Sequence, residues 1–488
     1  MAKPQNTEDG ESYQTHTIQL VREMSTRAGN VLNKDEDFVN VLFELVNEKQ
    51  AADQRKFILK RSGTAKLLNS VMSSEVRGQF YWEDQLKFFY AVDKNVYVYD
   101  ISTAITTTLS NVFSTTSGDI GFTEYLYDDN TVVVIATDGT TLVKISNTNV
   151  VTPCTDPDLP QHQPYPVFTD GYLLLVKVNT SDLYNSDLND PMSWTPGNFI
   201  SAEMSPDLLK RVCKVNNYVV ALGTESVEYF WDAGNATGSP FSRNDSPVKI
   251  NTYLGGLSQY GNDVYYIGKN IGGQPSVFML KDFKIEEVAS PSIKRFLALV
   301  TENVSTWRTS VLAMQGHTLL LLSVGNRNWV YDLDQGLWSR FAYQTTEQLD
   351  IKFATRITGA TGTLTYFSFK NSDSAIYKFD DTLMQDSSVN YTCQVITEQS
   401  NFGTLNRKTM ARWALYADRT PANSNIDVYW TDDDFQSFQG PRAVNLNQDL
   451  QSCYIMGSFR QRAFKLKYTG PYIMRLKSIE VDINKGVS

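Results

Sequence analysis

The chain has 488 residues, 41% hydrophobic and 12% aromatic, which is enough apolar surface to build packed cores and excludes general disorder. Lys and Arg number 44 against 54 Asp and Glu, for a formal net charge of −10. That balance excludes a tight, sequence-reading nucleic-acid binder, which needs a basic face, but not an enclosure that surrounds DNA without gripping it.

The amino-terminal stretch is polar and acidic, with no basic region followed by an apolar one, so no secretory signal is expected. The longest apolar runs, Tyr172–Val178 and Thr318–Val324, fall far below the roughly 18 residues of a membrane-spanning helix, and no span is expected. Cys154, Cys213, Cys393 and Cys453 are widely separated and form no CxxC pair. They read as four reduced, mostly buried thiols of a protein folded in a reducing cytoplasm.

In chain order, residues 1–75 come first. Phe38–Val46 carries apolar residues at mixed spacing and reads either as the chain's one helical pattern or as a buried strand. The basic run Arg55–Thr64 resembles a strand closing on a glycine turn.

From 76 to 385, short β-rich runs recur, each followed by a Gly, Asn or Asp turn and a second run. Examples are Phe88–Tyr90 with Val96–Tyr99, Tyr218–Leu222 with Val227–Trp231, and Val264–Ile267 with Val277–Leu280. Asp138-Gly139, between Thr131–Ala136 and Thr141–Ile145, is a strong hairpin signal. Successive hairpins lie about 40–50 residues apart, the length of one propeller blade. The pattern predicts a β-propeller of about six blades, with a pair of sandwiched sheets as the alternative. Residues 386–488 alternate apolar and polar, most clearly in Met474–Ile483, and predict a small β-sandwich-like platform domain. The expected fold class is therefore all-β, divided at 1–75, 76–385 and 386–488. The acidity belongs to the middle segment, which holds 22 basic and 33 acidic side chains.

Signatures of catalysis are missing. Gly256–Gly261 lacks the lysine of a phosphate-binding loop and reads as a hairpin turn. Three histidines, His16, His162 and His317, are too dispersed for a zinc site, and His317 reads as structural. The acidic spots Asp128-Asp129 and Asp432–Asp434 look like turns, because glycoside hydrolysis needs two carboxyls facing one sugar across roughly 5–10 Å. The run Ser458–Tyr468 interleaves basic and aromatic residues, placing Arg462, Phe464, Leu466 and Tyr468 on one face. It reads as one strand with a solvated outer side, with a nucleic-acid or protein-binding edge as the other reading. No catalytic residue, cofactor or metal is expected.

Several phrases resemble packaged-DNA stabilisation proteins of short-tailed phages. One runs through Asp190-Pro191, Trp194, Asn198-Phe199, Ala202-Glu203 and Pro206-Asp207; a second is Val219–Trp231, followed by Asp232–Gly234, Pro240-Phe241 and Gly255-Gly256. Val264–Gly268 with Val277–Leu280 continues the match. Val39-Asn40 with Lys60-Arg61-Ser62-Gly63 is similar to the family's opening, except that Ser62 stands where a proline is usual.

The resemblance implies a podovirus tail nozzle or tail hub: a homo-oligomer, as a hexameric ring, that extends the DNA channel below the portal and retains the genome until ejection. Implied partners are a head-to-tail adaptor protein, a tail fibre or tailspike, a tail needle or tip protein, and passing double-stranded DNA, all in the virion. Residues 1–75 would contribute platform and adaptor contacts. The competing reading is a carbohydrate-binding or carbohydrate-cleaving propeller. Within the nozzle reading, like charge keeps DNA from adhering, and a stiff loop could gate the channel. The candidate is the loop Cys154–Asp170, stiffened by Pro153, Pro157, Pro160, Pro164 and Pro166, with an ordinary connector between blades as the equal alternative.

Overall fold

The computed structural model describes residues 13–21, 38–46, 55–205, 207–244, 249–250, 252–325, 327–344, 350–359, 362–370 and 373–486. The remainder of the expected 1–75 segment lies outside the described residues. Two units are present. One comprises Met1–Thr64, Trp329–Leu349 and Asp380–Ser488, the other Ala65–Asn328 and Asp350–Phe379. The first and last expected segments thus share one unit, because strands distant in sequence bond within its sheets.

The second unit is a β-propeller. Its first blade is the antiparallel meander Val76–Trp82, Lys87–Val92, Asn95–Asp100 and Ile105–Leu109. Equivalent meanders begin at Gly121, Val167, Leu209 and Thr252. A sixth consists of Ile351–Gly359, Gly362–Phe369 and Ile376–Asp380, with Gly63–Leu68 as outermost strand. Because Gly63–Leu68 precedes the first blade in sequence, this sheet ties the beginning of the propeller to its end. The hairpin Arg308–Met314/His317–Val324 stands between the fifth and sixth meanders, and the inner strands follow one another around an axis.

Strand parity explains this assembly. In Lys87–Val92 every residue is buried, so one strand must feed two cores. Phe89 and Ala91 pack with Val134 and Val143 of the second blade, whereas Phe88, Tyr90 and Val92 pack with Ile357, Tyr366 and Ile376 of the sixth. Val219 and Ala221 likewise face Leu174 and Leu183 of the third blade, and Val220 and Leu222 face Val264 and Phe278 of the fifth. Each blade is one layer between two cores, and burying each Leu, Val or Phe contributes about 1.5–3 kcal/mol.

The expected hairpins form in register: Phe89 opposes Val98, Thr137 opposes Leu142, and Val220 opposes Tyr229. Gly139 takes φ +91° in the Asp138-Gly139 turn, where the Asp138 carboxylate accepts the Thr140 and Thr141 N–H groups. Gly256–Gly261 departs from the expected hairpin turn: Gly256 sits inside the inner strand Thr252–Tyr260 at a register shift, and only Gly261 reaches the turn. One helix, Pro291–Leu299, was not foreseen; Ser290 caps it and Pro291 supplies its first residue.

The first unit holds two sheets around one core. One contains Gln14–Gln19, Val41–Val46, Arg55–Lys60, Lys408–Ala417 and Arg475–Lys485; the other contains Cys393–Ile396, Asn425–Thr431, Gln439–Asn445 and Ala463–Tyr468. Trp413, Ile479 and Val481 from the first meet Val428, Phe464 and Leu466 from the second, which makes a β-sandwich. Phe38–Val46 is strand, resolving the helix-or-strand ambiguity. The alternation of Arg475–Lys485 slips between Leu476 and Ile479, where a bulge lies opposite Tyr416-Ala417. On Ala463–Tyr468 the expected inward face holds: Phe464, Leu466 and Tyr468 are buried, and buried Arg462 is paired with Asp432 at 2.7 Å.

Candidate functional site at the propeller axis

The inner strands converge on a cavity of about 470 Å³. In its lining Asp119, just before the second blade, accepts from two side chains. Its Oδ2 takes the Tyr165 hydroxyl at 2.7 Å and lies 2.6 Å from Arg308 Nη2; its Oδ1 takes Nη2 of the same guanidinium at 2.7 Å. Burial first, then the Asp119 charge, pushes the Tyr165 phenol far above its ordinary pKa, so it remains a neutral donor. The Arg211 guanidinium lies over Tyr165, its carbon 3.2 Å from the ring centroid.

A second cavity, of about 580 Å³, shares Asp119, Tyr165 and Arg308 with the first and is otherwise lined by different residues, including Glu75, Arg77, Lys352 and Lys370. The three shared side chains therefore border both cavities. Lys352 and Glu75 pair at 2.8 Å.

The proline-rich segment joins the second blade to the third. Pro153 ends the outer strand Val151–Pro153 and is exposed, as is Pro157; Pro160 and Pro164 are half-buried and Pro166 is buried. Pro166 lines the first cavity and Pro164 the second, with Tyr165 between them. The segment is held at several points. Asp156 accepts the Trp194 N–H at 2.8 Å. His162 is buried between the Pro160 carbonyl and the Thr137 hydroxyl, each 2.7 Å away. The carbonyl fixes Nδ1 as donor, so Nε2 accepts from Thr137, and burial lowers the imidazole pKa. Sequence reasoning found this connector through its prolines but missed Asp119, Tyr165, Arg211 and Arg308, which sit in different blades with no shared local pattern.

The phrases singled out in the sequence brace loops. Asp187 accepts from Ser193, Thr195 and Asn198, and Asp207 accepts the N–H groups of Glu225 and Ser226. In the sandwich unit, buried Arg61 donates to Asn40 Oδ1, the carbonyls of Ser62 and Ala342, and both oxygens of Asp386 at 2.9 and 2.6 Å. All five guanidinium N–H groups are thereby satisfied. Gly63 is required by close approach: a Cβ there would meet the Gln385 carbonyl oxygen at 2.1 Å.

The acidic spots are turns. Asp129 accepts the Thr131 N–H and Asp128 the Asn189 amide. Asp432 pairs with Arg462, and hydroxyl and backbone donors from Ser437 and Thr431 hold Asp433 at a pKa of about 2. All four cysteines are free, Cys154 half-buried and the others buried.

No curated protein sequence matches the chain. Among solved structures it is similar to a streptogramin B lyase (12% identity, TM-score 0.42, covering 65% of this chain and 97% of that one) and to the β-propeller domain of Myceliophteria thermophila Cps50, also called Swd1 (9%, 0.42, 64% and 98%). It is also similar to the N-terminal domain of Nup159 (13%, 0.39, 70% and 99%). Those values carry no functional argument. The family profile described as Bacteriophage P22 Gp10, beta-propeller, matches residues 26–355, more than half of the sequence. With the propeller in place and the match running through its blades, the chain belongs to this phage stabilisation family.

Proposed function

We propose that the chain is the nozzle, or hub, of a podovirus tail, a non-enzymatic virion protein that assembles as a ring below the portal and adaptor. The ring extends the DNA channel, retains the packed genome, and lets it pass on ejection. The observation that carries this reading is the small cavity among the inner strands. At about 470 Å³, with Tyr165 and Arg308 both bonded to Asp119 in its lining, it is far too small to hold a length of double-stranded DNA. A DNA path must then run between copies of the chain, which calls for a ring, the hexamer that the resemblance implies. The acidic excess of residues 76–385 suits such a lumen, since like charge keeps phosphates from adhering.

The Pro153–Pro166 connector enters this proposal as the candidate gate, and the adaptor, needle or tip, and fibre or tailspike proteins as neighbours. Nothing in the acidic turns favours the carbohydrate reading. Electron microscopy of intact particles tests the assignment: a six-membered ring on the tail axis is expected, and a monomer off the axis would refute it. Shortening the connector tests the gate separately through genome leakage from assembled particles; unchanged retention removes the connector from the proposal.

A further inference from the structure

We infer that the cavity of about 470 Å³ is a binding site for a small oxyanion, a phosphate or carboxylate group. The inference goes beyond the nozzle reading and does not depend on ring assembly.

Charge is the first argument. Within a propeller whose excess is acidic, this cavity is lined by Arg211, Lys214 and Arg308 against one carboxylate, Asp119. Asp119 is already matched by Arg308, and Lys214 lies 3.6 Å from Asp170. Arg211 is left with no carboxylate or hydrogen-bond partner among the described residues, only the Tyr165 face beneath it. A guanidinium stacked on a ring directs its N–H groups edgewise, so the stack orients the donors without satisfying them.

Hydrogen-bonding balance is the second. Three other lining side chains carry buried N–H groups without an acceptor: Gln79 Nε2, Trp307 Nε1 and Arg308 Nε. No lining side chain carries a buried acceptor that lacks a donor. A surplus made only of donors selects a ligand made only of acceptors. Ionised phosphate and carboxylate groups meet that condition, whereas a sugar hydroxyl would bring donors needing acceptors of their own. Backbone geometry is the third. The strand Leu209–Val215 shifts register between Leu209 and Arg211, a bulge that re-aims the side chain beside it.

Titration of inorganic phosphate into the full chain, by calorimetry at constant ionic strength in chloride, tests the site, with acetate as the carboxylate arm. One site per chain is expected, with at least one of the two anions. Arg211→Gln should weaken binding about ten- to hundredfold, since it removes the charge-assisted bonds. Trp307→Phe, which keeps the ring and removes one donor, should weaken it several-fold and serves if Arg211→Gln does not fold. Lys144→Gln, on the second blade, should leave it unchanged. The inference is overturned if neither anion binds, if binding is the same in Arg211→Gln and Trp307→Phe, or if Lys144→Gln loses it equally.

Discussion

Asp386→Ala should be among the most damaging single substitutions in the sandwich unit. Arg61 and Asp386 are both fully buried, 325 positions apart in sequence, and joined by two hydrogen bonds of 2.9 and 2.6 Å. The guanidinium carbon also lies 3.9 Å from the Tyr391 ring centroid, and the Gln344 N–H reaches Asp386 Oδ2 at 3.1 Å. Removing the carboxylate strands a buried cation and three N–H donors, two from Arg61 and one from Gln344. Breaking a buried pair from one side costs about 3–5 kcal/mol. The loss should appear in urea unfolding of the full chain, followed by tryptophan fluorescence, with Trp413 and Trp430 reporting on this unit's core. Replacing both partners, Arg61→Met with Asp386→Leu, should recover much of the loss, because no unpaired charge then remains. A change below about 1 kcal/mol for Asp386→Ala would refute the reasoning, as would a double variant no better than the single one.

Lys60, beside this pair, donates to the Met384 carbonyl at 2.7 Å, and burial is the main cause that lowers its pKa to about 8. The folded state then binds fewer protons than the unfolded state between pH 8 and 10.5, so stability rises with pH across that window, by at most about 3 kcal/mol. The rise should be visible as a difference between wild type and Lys60→Met in paired denaturation curves; parallel curves would contradict it. For His162 the lowered pKa means that its contribution is complete above pH 6.5 and is lost as pH falls from there toward the folded value. His162→Gln should flatten that part of the acid unfolding profile, and an unaltered profile would refute the lowered pKa. Gly63→Ala should cost about 1–3 kcal/mol, since its Cβ would overlap the Gln385 carbonyl; a neutral thermal melt would show that the backbone yields there.

Much of the propeller was legible because its information is local. Asp138-Gly139 sets a turn, and Thr137 and Leu142 fall opposite each other as a consequence. The helix Pro291–Leu299 also carries a signal, Ser290-Pro291 ahead of Ile293 and Leu297, but it is short and set among β-rich runs. Gly256–Gly261 reads as a turn, yet only Gly261 lies in one: a Cβ on Gly256 would approach the Thr309 backbone nitrogen at 2.8 Å, so that glycine marks close contact between inner strands. The proline-rich connector was visible as composition, while the role of Tyr165 within it depended on Asp119 and Arg308 arriving from other blades.

The acidic excess, the β-meander rhythm, the inward faces of strands such as Ala463–Tyr468 and the family phrases were all fixed by the order of residues, because alternation and turn chemistry act over a few positions. Only tertiary structure decided that Gly63–Leu68 completes the last blade, that Arg61 finds Asp386, and that Gln79, Asp119, Arg211 and Trp307 line one cavity. Such contacts form where strands remote in sequence are brought together by shared apolar faces. Each partner's own neighbours in the chain carry no trace of the other, so their chemistry emerges only when the sheets of each unit have assembled.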